Sequence, residues 1–210
     1  MRRLAYVQFL AAVAATSPVA AQQYGTGQSG IITEYTYTGS GAWRDLDAFG
    51  QCFAKRQTKD AMKLVQTDAG SAEEARVYKE LFSKEQFCLG DLSGLTVPWK
   101  FVRGAVGEGL YSGKVPVPAS LAAPRQMPRE KVQSVMDAAV CYASQHPSDA
   151  RHLVESTDPD SKEEAAAIEA LSPDFGACLP PNLPQKFSID GILLRYRIAE
   201  ALWRLGLVHS

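Results

Sequence analysis

Two arginine–glutamate pairs are the side chains of this sequence best suited to forming a reactive or binding site. Arg103 precedes Glu108 by five residues, and Arg195 precedes Glu200 by the same interval. Carboxylates can transfer protons and guanidinium groups can bind anions, so the four could line a polar site that binds a small ligand or supports hydrolysis. Five residues correspond to about 140° of rotation around a helix, so neither pair can form a simple bridge along one helix face.

The same four residues also fit a structural role, because they occupy matching places in two similar halves of the chain. In the structural interpretation, the arginine of one half meets the glutamate of the other and orients the helices that carry them. In the functional interpretation, all four form a polar site at the seam between the halves. We favour the structural interpretation, and a double-mutant cycle distinguishes the two by coupling in stability or by loss of ligand binding.

The three histidines give no comparable signal for a site. His146 and His152 are six residues apart with Pro147 between them, so they need not share a helix face, and His209 lies in the last two residues. The sequence contains no G-x-S-x-G, P-loop or H-E-x-x-H motif. We therefore predict no catalytic residue, no metal and no cofactor.

The first 21 residues have the form of a secretory signal peptide. Arg2 and Arg3 precede an apolar run of about a dozen residues, and small residues up to Ala21 form a cleavage site. An uncleaved anchor is the alternative, but a membrane span needs roughly 20 apolar residues. Cleavage removes two of 22 basic side chains and leaves 20 against 23 acidic ones, a balance that favours no nucleic-acid partner. We expect a soluble periplasmic or secreted protein without a membrane span.

The mature sequence repeats itself, and the repeat pairs its four cysteines. Cys52 aligns with Cys141, and Cys88 aligns with Cys178. Exported proteins commonly form disulfides, and of the three connectivities that four cysteines allow, the repeat selects Cys52–Cys88 and Cys141–Cys178. Four buried thiols are the alternative. The repeat extends further, since Arg103, Glu108, Leu110 and Tyr111 align with Arg195, Glu200, Leu202 and Trp203.

The repeat also sets the expected organisation of the chain. A flexible arm (22–42) with one short extended stretch precedes repeat 1 (43–111), and a proline-rich linker (112–128) leads to repeat 2 (129–210). Each repeat is predicted to form a helix, a short helix, a capped helix and a tail helix, because apolar residues recur every three or four positions. We predict an all-α fold, a compact pseudo-two-fold bundle of two tandem four-helix repeats.

Local motifs predict how the third helix of each repeat begins and ends. Ser71 with Glu74, and Ser161 with Glu164, have the spacing of capping boxes, in which the glutamate binds the backbone amide of the serine. Pro173 is expected to interrupt or end the third helix of repeat 2, because proline cannot donate a backbone hydrogen bond.

The two tail helices are predicted to cross closely. The last helix, 188–205, is apolar around most of its circumference and is expected at the centre of the molecule. Gly107 and Gly109 in the first tail helix align with Ala199 and Ala201 in the second. These small residues would let the two backbones approach, and a tail helix broken at Gly104 is the alternative.

The repeated pattern resembles uncharacterised exported helical proteins of Gram-negative bacteria. The resemblance implies export and helical structure, and it brings no known activity to transfer. It covers most of the mature chain, and its residues are Cys141, Ala150, Leu153, Val154, Ser161, Glu163, Glu164, Cys178, Leu179, Arg195, Glu200, Ala201, Leu202, Trp203 and Arg204.

These observations favour a non-enzymatic exported module that binds or scaffolds another component of the cell envelope. The alternative is a small-ligand-binding protein or hydrolase whose pocket lies between the repeats. A filled core with an exposed apolar patch would favour the first, and a deep cleft between the repeats with strongly shifted carboxylates would favour the second. The sequence leaves the partner and the oligomeric state open.

Overall fold

Apolar residues at helical spacing fold into helices throughout the part of the chain that the structure describes. This structure is a computed structural model, and it describes residues 40–82, 88, 97–179 and 189–207. Within these ranges the chain is all-helical and forms no strand, as predicted. The α-helices are α1 (Ser40–Arg56), α2 (Thr58–Gln66), α3 (Ala72–Phe82), α4 (Trp99–Ser112), α5 (Val135–Gln145), α6 (Pro147–Glu155), α7 (Lys162–Ala177) and α8 (Gly191–Arg204).

The predicted signal peptide, 1–21, and most of the predicted arm lie outside the described residues. So does the extended stretch that the sequence predicts within the arm. In the described ranges, no helix has both the length and the apolar character that crossing a bilayer requires.

Two helices, α4 and α8, form the centre of the structure. Every residue from Phe101 to Tyr111 is buried, and so is every residue from Leu194 to Trp203. The two helices pack against each other, α1 packs on α4, and α5 and α6 pack on α8. The central position expected for the last helix is confirmed, because its apolar residues cover most of its circumference.

Glycine allows α4 to approach its neighbours on two sides. A Cβ atom on Gly104 would lie 2.5 Å from the Cβ of Tyr196 in α8, and one on Gly107 would lie 3.1 Å from the Cβ of Glu200. Gly109 instead faces α1, where its Cβ would lie 2.3 Å from the carbonyl oxygen of Gly50. The prediction that Gly109 lies at the crossing with α8 is therefore wrong. The alternative of a break at Gly104 is also wrong, since α4 is continuous through it.

The two predicted cysteine pairs are confirmed as disulfides. Cys52 in α1 is bonded to Cys88, and Cys141 in α5 is bonded to Cys178, directly after α7. The bridges span 36 and 37 positions of the chain, with Cα–Cα distances of 5.6 and 5.8 Å. No cysteine of the described chain is free.

Proline does not end α7, contrary to the sequence analysis. The helix continues through Pro173 to Ala177. Pro173 cannot donate a backbone hydrogen bond, but the neighbouring Ser172 hydroxyl donates to the carbonyl oxygen of Ile168 at 2.6 Å. Leu171 and Phe175, on either side of the proline, are buried. Their packing holds the helix together across the missing bond.

Candidate functional site

Arg103 is the centre of a buried ion cluster that closes the C-terminal end of α2. Its Nη1 donates to the carbonyl oxygens of Leu64 (3.1 Å) and Thr67 (2.8 Å), and its Nη2 donates to that of Val65 (2.8 Å). It also reaches the Thr67 hydroxyl at 3.1 Å. The last carbonyl groups of a helix lack partners within the helix and carry its partial negative charge. Arg103 supplies the end of α2 with both hydrogen-bond donors for these carbonyl groups and a positive charge.

Two glutamates complete this Arg103 cluster. Glu74, in the first turn of α3, accepts from Arg103 Nη1 at 3.0 Å, and Glu200 of α8 accepts from Nη2 at 3.0 Å. Arg197 and Arg204 also donate to Glu200, at 3.2 and 2.8 Å. The cluster therefore contains three guanidinium groups and two carboxyl groups.

Arg195 is the centre of a second cluster that closes the end of α6 in the same way. Its Nη1 donates to the carbonyl oxygens of Leu153 (2.9 Å) and Thr157 (3.0 Å), and its Nη2 donates to that of Val154 (2.7 Å). It reaches the Thr157 hydroxyl at 2.9 Å. Glu108 of α4 accepts from Arg195 Nη2 at 2.8 Å and from Nε at 3.1 and 3.2 Å.

The remaining carboxyl groups of the Arg195 cluster are bound less completely. Glu164 Oε1 lies 3.6 Å from Arg195 Nη1 and makes no hydrogen bond. Asp47 of α1 accepts from the hydroxyl of Tyr196 at 2.7 Å. The cluster therefore contains one guanidinium group and three carboxyl groups.

The structure brings the four residues singled out by sequence together as two cross-pairs. Arg103 of the first segment (43–111) binds Glu200 of the second segment (129–210), and Arg195 of the second binds Glu108 of the first. Arg103, Glu108, Arg195 and Glu200 expose 1%, 4%, 3% and 0% of their surfaces, so side chains of the protein surround them.

The balance of charges shifts the pKa of Glu200 and the pKa values of the carboxyl groups around Arg195 in opposite directions. Burial alone would raise the pKa of Glu200, but Arg103, Arg204 and Arg197 together lower it to about 2. In the other cluster, burial raises the pKa of Glu108, and Arg195 only partly offsets this. Burial and the nearby Glu108 raise the pKa of Asp47 to about 7. Burial is also the main reason that the pKa of Glu164 is raised.

The capping glutamates have a second role that sequence reasoning missed. Ser71 and Ser161 accept hydrogen bonds from the amides of Glu74 and Glu164, both at 3.0 Å, as predicted. The glutamates do not return the bond to the serine amide. Glu74 accepts instead from the backbone amide of Gly70, and Glu164 from that of Asp160, each at 2.7 Å. Both donors directly precede the capping serine. In both clusters, the Oε1 atom of the capping glutamate faces the arginine, and its Oε2 atom accepts the hydrogen bond from this backbone amide.

Other missed residues differ in whether the sequence held a signal for them. Thr67 aligns with Thr157 in the repeat, with the offset of 90 that relates Ser71 to Ser161. This match was a signal in the sequence that the two threonines have equivalent roles. Asp47 gave no such signal, because the corresponding position in the second segment is Met136.

The surface has two depressions, neither of which is lined by a buried arginine. A groove of about 560 Å³ is lined by Gln51 and Lys55 of α1 and by Gly109 and Ser112 of α4, among others. A smaller depression of about 290 Å³ is formed by residues 155–158 with Glu163. None of the four residues of the cross-pairs lines either one.

No metal-binding group of three or more His, Cys, Asp or Glu side chains occurs within the described ranges. His146 Nδ1 lies 3.9 Å from Asp174 Oδ2, and His152 is exposed on α6. His209 lies outside the described residues. Comparisons with protein-family models, with curated proteins and with solved structures found no match to this chain.

Proposed function

We propose that the protein is an exported, non-enzymatic helical module that binds or scaffolds another component of the cell envelope. One observation carries the proposal: the residues best suited to chemistry are buried and bind each other in the Arg103–Glu200 and Arg195–Glu108 pairs. A substrate would have to displace these hydrogen bonds, and breaking a buried ion pair is strongly unfavourable. The function is then carried by the surface of the helical body.

The proposal includes a duplicated architecture, in which the two segments are repeats related by a pseudo-two-fold axis. The matching acceptors support it. Arg103 binds residues 64, 65, 67 and 74, and Arg195 contacts residues 153, 154, 157 and 164 in the same order. The nearly equal spans of the two disulfides, 36 and 37 positions, also support it. We likewise propose kinship with exported helical proteins of Gram-negative bacteria, based on the sequence pattern.

Export and partner binding can be tested in one experiment. The chain with a C-terminal tag is expressed in its native host, crosslinked in intact cells, purified and identified with its partners by mass spectrometry. We expect Gln22 as the first residue of the purified protein, both disulfides formed, and one envelope component enriched. The matched control is the same chain without residues 2–21, which should remain reduced and lose that component. An uncleaved chain, or an equal set of partners for both forms, would contradict the proposal.

One observation favours the alternative, a small-ligand-binding protein or hydrolase with a site between the repeats. Asp47 is only partly buried, its pKa is raised to about 7 by burial and by Glu108, and it accepts from Tyr196. Perturbed carboxyl groups of this kind cluster at functional sites. A double-mutant cycle on Arg195 and Glu108 separates the two functions. Coupling in unfolding free energy supports the structural role, and loss of ligand binding at unchanged stability supports the site.

A further inference from the structure

The Arg195 cluster gathers charged and titratable groups from four helices around one cation. Asp47 comes from α1, Glu108 from α4, Glu164 from α7, and Arg195 and Tyr196 from α8. If all three carboxyl groups were ionised, the cluster would carry two net negative charges in a mostly buried place. Such an excess is strongly unfavourable, and the usual relief is protonation of one of the acids.

The Arg103 cluster contains two cations besides Arg103, whereas α4 carries no cation at the matching positions near Glu108. Arg197 and Arg204 lie three residues before and four residues after Glu200 on α8. The residues at the same distances from Glu108 on α4 are Ala105 and Ser112. A protonated carboxyl group reduces the negative charge without a second cation, and it requires no additional space.

Two observations indicate which carboxyl groups of the cluster can hold a proton. Glu164 Oε1 is buried and has no hydrogen-bond donor, whereas the matching oxygen of Glu74 accepts from Arg103 at 3.0 Å. Asp47 is only partly buried, so it can exchange a proton with solvent, and one of its oxygens is already bound by Tyr196.

We propose that the Arg195 cluster is a proton-binding site: the folded protein retains at least one proton among Asp47, Glu108 and Glu164 near neutral pH. Loss of that proton weakens the packing of α1 against α4 and α8. The inference does not depend on the proposed envelope function, because it concerns the folded chain alone.

The sign of the effect follows from the direction of the shifts. An unfolded aspartate releases its proton near the ordinary value of 3.8, whereas the pKa of Asp47 in the folded protein is raised to about 7 by burial and by Glu108. Between these values the native state binds more protons than the unfolded state. Unfolding then releases protons, and stability falls as pH rises through this window.

Calorimetric unfolding at pH 5.5, in two buffers of different ionisation enthalpy, measures the number of protons released. We expect the full mature chain to release at least one proton and the Asp47→Asn variant to release about one fewer. Glu169→Gln, which removes an exposed carboxyl group from α7, is the matched control and should match the parent. No release by the parent, or equal release by parent and Asp47→Asn, would overturn the proposal.

A second variant tests the charge balance without removing a carboxyl group. Ser112→Arg places a guanidinium four residues after Glu108, where Arg204 stands relative to Glu200, and should lower the number of protons released. An unchanged number would count against the proposal. Should Asp47→Asn fail to fold, carbon-13 NMR of the parent decides: titration of Asp47, Glu108 or Glu164 near pH 7 supports the site, and titration of all three below pH 5 excludes it.

Discussion

Arg103 and Arg195 close the ends of two short helices with the same types of acceptor, but the charges around them differ. Each binds two successive carbonyl groups, those of a leucine and a valine, and both oxygens of a threonine. Around Arg103 the cations outnumber the carboxyl groups by three to two. Around Arg195 the carboxyl groups outnumber the cations by three to one.

The difference shows that helix capping and charge balance are separable properties of these clusters. The capping residues recur at matching places in both segments, whereas Arg197, Arg204 and Asp47 have no equivalents of like charge. The consequence is a different response to pH. Stability contributed by Glu200 is present above its ordinary pKa of 4.5 and is lost only as pH falls towards 2. The Arg195 cluster instead loses stability as pH rises.

Removal of each arginine should have the largest effect and should reveal this difference. Arg103→Met leaves Glu74 and Glu200 buried with the carbonyl groups of α2, and should lower the unfolding free energy by about 3–5 kcal/mol at both pH 5 and pH 8. Arg195→Met should have a similar effect at pH 8 but a smaller one at pH 5, where protonation relieves Glu108. Urea denaturation at both pH values measures this.

The control for that comparison is Arg44→Met, which removes an exposed partner of Asp158 and should change stability little at either pH. An equal dependence on pH for Arg103→Met and Arg195→Met would show that the two clusters do not differ as described.

The disulfides should test the likeness of the two segments. The bonds span 36 and 37 positions, so loop-closure entropy predicts a loss of about 3–4 kcal/mol for either double Cys→Ser variant. The measurement is thermal unfolding of Cys52→Ser/Cys88→Ser and Cys141→Ser/Cys178→Ser in parallel. A large inequality would mean that one segment retains its fold without its bridge and the other does not.

Replacing Gly109 with alanine should lower the stability of the protein, although the matching position of α8 already carries an alanine, Ala201. A Cβ on Gly109 meets the backbone of Gly50, which cannot move aside as a side chain would, so Gly109→Ala should destabilise the protein by up to about 3 kcal/mol. Gly176→Ala, in α7, meets nothing within 4 Å and should be neutral or stabilising. Similar melting temperatures for the two variants would contradict the close packing of α1 and α4.

The smallest expected effect is a difference in stability between the glutamine variants of the two capping glutamates. Glu74→Gln loses a charge-assisted hydrogen bond from Arg103 and should lower stability by about 1.5–3 kcal/mol. Glu164→Gln replaces an oxygen that accepts no hydrogen bond, so its loss should be smaller by about 1–2 kcal/mol at neutral pH. Chemical denaturation at pH 7 compares them, and equal losses would show that Glu164 is bound as firmly as Glu74.

Local patterns predicted the helices and the disulfides well. Apolar spacing is set by the 3.6-residue turn, and the repeat carried enough information to pair Cys52 with Cys88 and Cys141 with Cys178. Motifs read within one helix were less reliable. Pro173 was expected to end α7, because its missing hydrogen bond is visible in the sequence, whereas the burial of Leu171 and Phe175 is not.

The composition of the clusters was harder to predict, because it depends on neighbours from other helices. Glu74 and Glu164 were assigned only as caps, since nothing local shows that an arginine from a distant helix reaches them. Asp47 lacks a counterpart in the second segment, so the repeat gave no reason to single it out. Gly109 was assigned to the wrong neighbour, because a small residue permits close approach without showing which helix approaches.

The cross-pairing of the arginines determines when folding can finish. Arg103 finds Glu200 97 positions later in the chain, in the last helix of the structure. During synthesis, the Arg103–Glu200 pair therefore cannot form until α8 has been made. A truncated chain that lacks α8 would leave Arg103 without Glu200, and the loss of one partner from a buried ion pair is strongly destabilising.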